Sequence, residues 1–248
     1  LTNIISELSS ILVLFFFLPK NLTIKKKDLA FNKVYAKEAM NISIPSTASR
    51  LIGSFGYFLE PIILTNALNY VGYSSNFIVT EYGVISGFVM PLLLLPSFFT
   101  MAISQALLPI ISKATSNNHY DYAKKKLKQA IVISLLIGVP ASLLLAIFPE
   151  FFLGLIYNTH EGVPYMRFLA PVCILQYIQA PLSACLDAMG LTKLGLKATI
   201  AGTLIRTIFL LIFSLLKIGM WGLIFSTSLN VIFTTFYNLY QVKTSLKK

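Results

Sequence analysis

Charge is the scarcest commodity in this chain. Asp, Glu, Lys and Arg make up only 12% of its 248 residues, about half the share of an ordinary soluble domain, and that excludes a soluble globular fold. Histidine and cysteine are rarer still, with two of each. Cys173 and Cys185 fall in one predicted helix, about 18 Å apart along its axis, too far for a disulfide; they read as small packing residues. His119 and His160 lie on opposite sides of the predicted membrane, so no metal site and no cofactor follow from them. Walker-type, HExxH, GxSxG and CxxC patterns are all absent from the sequence, so no enzyme signature remains.

What is present is apolar. Hydrophobic residues are 56% of the chain and mean hydropathy is +0.76. A membrane helix needs about 20 mainly apolar residues. Seven stretches meet or approach that length: 1–18, 46–68, 83–111, 127–148, 166–189, 197–216 and 221–240. The fold class is therefore all-α, a polytopic bundle of about seven transmembrane helices with no room for a soluble domain. The connectors 19–45 and 112–126 are polar, and AFNKVYAKEAM and YDYAKKKLKQA within and beside them have helical composition. Residues 149–165 hold an apolar patch too short to span and read as an interfacial segment.

The net charge of +11 raises the question of nucleic acid, but the lysines are placed by topology. Lys20, Lys25, Lys26, Lys27, Lys33 and Lys37 follow the first span, and Lys113, Lys124, Lys125, Lys126 and Lys128 follow the third. Lys193 and Lys197 follow the fifth, and Lys243, Lys247 and Lys248 the seventh. The intervening connectors contribute only Lys217. That alternation is what the positive-inside rule predicts, with the basic connectors and the C-terminus cytoplasmic. Anionic lipid headgroups are the expected partners of LTIKKKDLAFNK; nucleic acid is not. The start at Leu1, with no basic n-region before the first apolar stretch, points to a chain whose N-terminal part is missing.

Topology leaves three arginines and an acid unexplained. Arg167 sits near the outer end of its span and can reach a headgroup. Arg50 is about one turn inside the cytoplasmic end of the second span. Arg206 is mid-span in LKATIAGTLIRTIFLLIFSLL, where a charge costs at least ~2.5 kcal/mol, so it must face protein or water. Glu60 lies ten residues beyond Arg50, about 15 Å deeper, and needs a proton or a cationic partner; Arg206 is the candidate. Pro61 follows at once, and an acid beside a helix break is a common way to build a transporter site. Pro91, Pro140 and Pro181 in other spans extend the pattern of helix breaks that permit gating motion. Arg50, Glu60 and Arg206 are thus the candidate cavity residues. Asp187 reads as a helix-end residue near Lys193.

Beyond this residue-level reading, MAISQALLPIISKATSNNHYDYAKKKLKQAIVISLLIGVPASLLLAIFPEFFLGLIYN, with its ALLPIIS element at 106–112 and IGVPAS element at 137–142, resembles the second half of the polysaccharide exporters of the MOP superfamily. The resemblance is to the stage V sporulation protein B type and the related MurJ-type lipid II flippases. PLSACLDAMGLTKLGLKATIAGTLIRTIFLLIFSLLKIGMWGLIFSTSLN resembles the family's LQGLGKT helix end and closing helix pair, with CLDAMGLTK as a departure and Arg206 where the family usually has lysine.

The resemblance implies that 1–18 is the last helix of a first half, 19–45 a cytoplasmic basic linker, and 46–248 a C-terminal six-helix lobe. It implies flipping of an undecaprenyl-linked oligosaccharide or cell-wall precursor across the bacterial cytoplasmic membrane by alternating access. Arg50 and Arg206 would then meet the lipid-linked saccharide's pyrophosphate, and the missing half would be the principal partner. The alternatives are a cation antiporter of the multidrug and toxin extrusion type, which should line its cavity with acids, and a non-transporting scaffold for envelope or sporulation assembly, which needs neither Arg206 nor Glu60.

Overall fold

The computed structural model describes residues 2–17 and 33–246. The expected linker lysines Lys20, Lys25, Lys26 and Lys27, and the tail Lys247 and Lys248, lie outside the described residues. The chain divides into two compact units, Leu1–Met40 and Asn41–Lys248. The first holds α1 (Thr2–Phe17) and the opening turns of α2 (Lys33–Val71). Within α1 the stretch Ile4–Val13 is apolar.

The second unit begins within α2 and continues through α3 (Ser75–Val84), a π-helical turn (Ile85–Val89), α4 (Met90–Leu94) and α5 (Ser97–Ser116). It is completed by α6 (Tyr120–Ile147), the short α7 (Pro149–Tyr157), α8 (Val163–Ala188), α9 (Thr192–Leu215) and α10 (Trp221–Ser245). No strand occurs among the described residues. Among the described residues, six helices are long and apolar enough to cross a membrane, which makes the protein multi-pass. Helix α10, which contains the expected span 221–240, is not among them. Its Ser226, Ser228, Thr235 and Asn238 are buried against protein, so α10 is sheltered by its neighbours and carries polar groups a lipid-facing helix would exclude.

Several expected boundaries move. Residues 33–45 are helical and Pro45 lies inside α2, so the second span begins well before residue 46. The third starts at Ser75, where the Ser74 hydroxyl accepts from the Phe77 amide and satisfies an orphan donor of the first turn. Leu95 and Pro96 keep right-handed helical torsions, so the chain bends between α4 and α5 without reversing. The two candidate spans on either side form one bent rod.

Of the helix breaks expected at Pro61, Pro91, Pro140 and Pro181, only Pro91 adjoins one. Helix α2 continues through Pro61, α6 through Pro140 and α8 through Pro181. Each proline removes one ladder bond, which packing in a bundle tolerates. At the real bend the Leu93 carbonyl accepts from the fully buried Tyr177 hydroxyl at 2.7 Å. Gly138 of α6 makes room for that ring, since a Cβ there would run into Tyr177.

Helix α8 is the hub, packing against α5, α6 and α10 and more lightly against α9. Two apolar clusters close the unit. One joins Leu64, Leu68, Val89, Met166, Leu210 and Ile224. The other joins Ile111, Ala123, Leu127, Leu182, Leu186 and Val242, uniting the end of α5, the start of α6 and the ends of α8 and α10. The described lysines at the α5–α6 turn, the start of α9 and the end of α10 therefore gather at one end of this unit.

Candidate functional site

Between the two clusters the bundle turns polar, because four helices carry hydrophilic side chains at the three-to-four spacing that aligns one face. They are Ser46, Arg50, Tyr57 and Glu60 on α2, and Gln176, Gln179, Ser183 and Asp187 on α8. Helix α9 adds Thr199, Thr203 and Arg206, and α10 adds Thr227, Asn230, Thr234 and Asn238. These stripes line a cavity of about 220 Å³ around Glu60, Gln176, Thr203, Arg206 and Asn230.

Helix α2 runs alongside α9 in the same direction. The Ser49 and Thr199 hydroxyls are 2.6 Å apart, and Gly53 and Gly56 lie against Thr199 and Thr203. Small residues at that seam let the backbones approach closely, and the next step along it brings Glu60 to Arg206. The two side chains form a buried ion pair, with 8% and 10% of their surfaces exposed. The Tyr82 hydroxyl donates to Glu60 Oε1 at 3.4 Å, and the Arg206 guanidinium stacks over the Tyr57 ring at 4.5 Å. Carboxylate, phenol and aromatic face thus replace the water that both charges lost.

The pairing of Glu60 with Arg206, read from depth alone, is therefore present. Arg50 is elsewhere: it is exposed and lines a second pocket of about 230 Å³ with Ser46, Asp187, Thr192 and Asn238. Gln179, Thr199 and Thr234 wall both pockets, making a continuous polar track from mid-bundle toward the basic end. Asp187 sits in the last turn of α8, at the helix end where it was expected, and also lines this pocket. Arg167 bonds Glu150 at 2.9 Å, so its partner is a side chain of the preceding short helix. Among the described residues, no three His, Cys, Asp or Glu side chains gather as metal ligands.

The sequence profile of the MatE family matches residues 61–212, more than half of the chain. The chain belongs to the MatE family. Within this MatE-family chain the matched stretch contains Arg206 and starts one residue after Glu60. Stage V sporulation protein B of Bacillus subtilis (strain 168) is 32% identical over 212 residues, covering 84% of this chain and 41% of that protein. Sporulation protein YkvU of the same strain is 29% identical over 157 residues, covering 63% of this chain and 35% of that protein. MATE solved in the bent conformation superposes with a TM-score of 0.81 at 17% identity, covering 96% of this chain and 52% of that one. A MOP superfamily transporter from Pyrococcus furiosus superposes at 0.74 and 17% identity, covering 97% of this chain and 54% of that one. The chain thus spans about half or less of the length of these relatives, and the solved structures share its fold.

The threonine, asparagine and glutamine lining was not singled out from sequence, although its signal is there. Thr227, Asn230, Thr234 and Asn238 recur at helical spacing in α10, and such a stripe inside a bilayer has to face protein or a water-filled cavity.

Proposed function

We propose that this chain is the cavity-forming lobe of a MatE-family membrane transporter that flips a lipid-linked saccharide across the bacterial cytoplasmic membrane. The observation that carries the reading is the character of the central cavity: its deep charges are compensated within the Glu60–Arg206 pair, and its remaining polar lining is hydroxyl and amide. That surface suits hydrogen bonding to sugar hydroxyls and offers no uncompensated deep carboxylate to an organic cation. Similarity to Stage V sporulation protein B supports the same direction. In this reading the lysine-bearing end of the bundle faces the cytoplasm, as charge asymmetry favours, and the C-terminus lies inside.

One observation favours cation antiport instead. Glu60 is a buried carboxylate held by a single cation, and a ligand that displaced Arg206 would find it. The two readings separate in proteoliposomes containing the full-length transporter. Saccharide-lipid translocation that is lost in Arg206→Gln and Glu60→Gln, with no cation efflux, supports flipping. Efflux of an organic cation without lipid translocation supports antiport. Normal translocation in both variants would overturn the assignment of the pair to the transport site.

A further inference from the structure

The flank of the α9–α10 hairpin carries a groove separate from the central cavity. Along α10, Leu229, Phe233 and Tyr237 are half-buried and form its floor, while Ile232, Phe236 and Tyr240 are exposed and form its rim. Both sets recur every four residues, the spacing that keeps side chains on one helix face. Ile205 contributes from α9. The Phe233 and Tyr237 rings stack at 5.9 Å, and the walls are almost wholly apolar.

The length of the groove and the charge at its end identify an occupant. From Leu229 to Tyr240 it runs about 16 Å along α10, half of the ~30 Å hydrocarbon core of a bilayer. It ends at the basic end of the bundle, where Lys243 follows Tyr240 by one turn. Gly202 of α9 lies against Asn230 and Thr234 of α10, and in that antiparallel register Lys197 stands level with Tyr237. Lys197 and Lys243 are exposed, and neither forms an ion pair among the described residues. Neither helix carries an Asp or Glu. A slot one leaflet deep, apolar inside and cationic at its mouth, matches an acyl chain below an anionic headgroup. A partner transmembrane helix would need a seam across the whole core, and this groove stops at Ile205 and Leu229.

We propose that the groove is a resident-lipid site. It holds one acyl chain of an anionic phospholipid from the leaflet at the basic end, with the phosphate between Lys197 and Lys243. The occupant is bilayer phospholipid and not transported cargo, so the site is independent of the saccharide-lipid reading above. On their other faces α9 and α10 present Thr203, Arg206, Asn230 and Thr234 to the central cavity. A lipid held in the groove therefore braces the hairpin that lines that cavity.

The test uses the full-length transporter in vesicles of equal phosphatidylglycerol and phosphatidylcholine with identical acyl chains. Benzoylphenylalanine in place of Phe236 puts a photoreactive group on the rim. The same residue in place of Leu136, exposed on α6, samples ordinary bilayer lipid. After illumination, mass spectrometry reads the ratio of the two lipids in the adducts and the point of attachment. The expected result at position 236 is attachment to an acyl chain, with phosphatidylglycerol enriched about fivefold or more, the size of one lysine's contribution at a membrane surface. Adducts at position 136 should follow the bilayer ratio. Lys197→Gln together with Lys243→Gln should return position 236 to that ratio without unfolding the protein, since both side chains are exposed.

A bilayer ratio at position 236, or equal enrichment at both positions, would reduce the occupant to ordinary annular lipid and overturn the proposal. So would enrichment that survives the loss of both lysines. Adducts to protein in place of lipid would also overturn it, marking the groove as a contact with a second copy or another helix. Failure of the flipping reading alone would leave the adduct ratios unchanged.

Discussion

Glu60 of α2 and Arg206 of α9 neutralise each other in the middle of the bundle, with Tyr82 and Tyr57 completing their surroundings. Neither charge is tolerable alone at that depth, so each explains the other's presence. The pair also fastens the seam along which α2 and α9 run together, and it sits on the wall of the central cavity.

Removing one partner strands the other. Arg206→Leu and Glu60→Leu are each expected to destabilise the folded protein by about 3 to 5 kcal/mol, while the double substitution recovers most of that loss because no uncompensated charge remains. Thermal unfolding of the purified protein in detergent checks this. Equal, additive losses would mean that the two residues do not act as a pair.

The seam itself has little tolerance for bulk. A Cβ at Gly56 would crowd the Thr203 methyl group, so Gly56→Ala is expected to cost about 1 to 3 kcal/mol. Thr203→Ala should rescue it by vacating that space. A Gly56→Ala protein as stable as the parent would show that α2 shifts freely on α9.

At the bend between α4 and α5, Tyr177 supplies a hydrogen bond to the Leu93 carbonyl. Tyr177→Phe keeps the ring and deletes the bond, with an expected loss of about 1 to 3 kcal/mol for a buried acceptor left unsatisfied. Gly138→Ala, which pushes on the ring instead, should lower stability by a comparable amount. Unfolding midpoints for both variants, set against an exposed control such as Leu136→Ala, decide the point.

Orientation is open to direct test. Single cysteines at Lys125 and at Lys217, in a background with Cys173 and Cys185 replaced, should label from opposite sides of the membrane, with position 125 reached only from the cytoplasm. Labelling of both from the same side would overturn the proposed topology.

How much of this was legible in the sequence varies with the range of the interaction concerned. Helix positions follow from runs of apolar residues, which act locally, and most of the spans lie where hydropathy puts them. The boundaries were less legible: Ser75–Tyr82 reads as connector by composition but folds as helix behind the Ser74 cap, and Pro61, Pro140 and Pro181 read as breaks yet lie within continuous helices. Proline marks a missing donor, and whether the helix breaks there depends on the packing around it.

The sequence by itself determined that the chain inserts in a membrane, that its basic connectors alternate, and that Glu60 and Arg206 each needed a partner. Those conclusions rest on transfer energies that a residue carries wherever it sits. Only the tertiary structure decided that the two meet each other, that Arg50 shares a pocket with Asp187 and not with Arg206, and that Arg167 turns to Glu150. Each of those outcomes depends on how the helices are rotated and registered against one another, and that is set by close contacts such as Gly56 on Thr203 and Gly138 on Tyr177, between residues far apart in the chain.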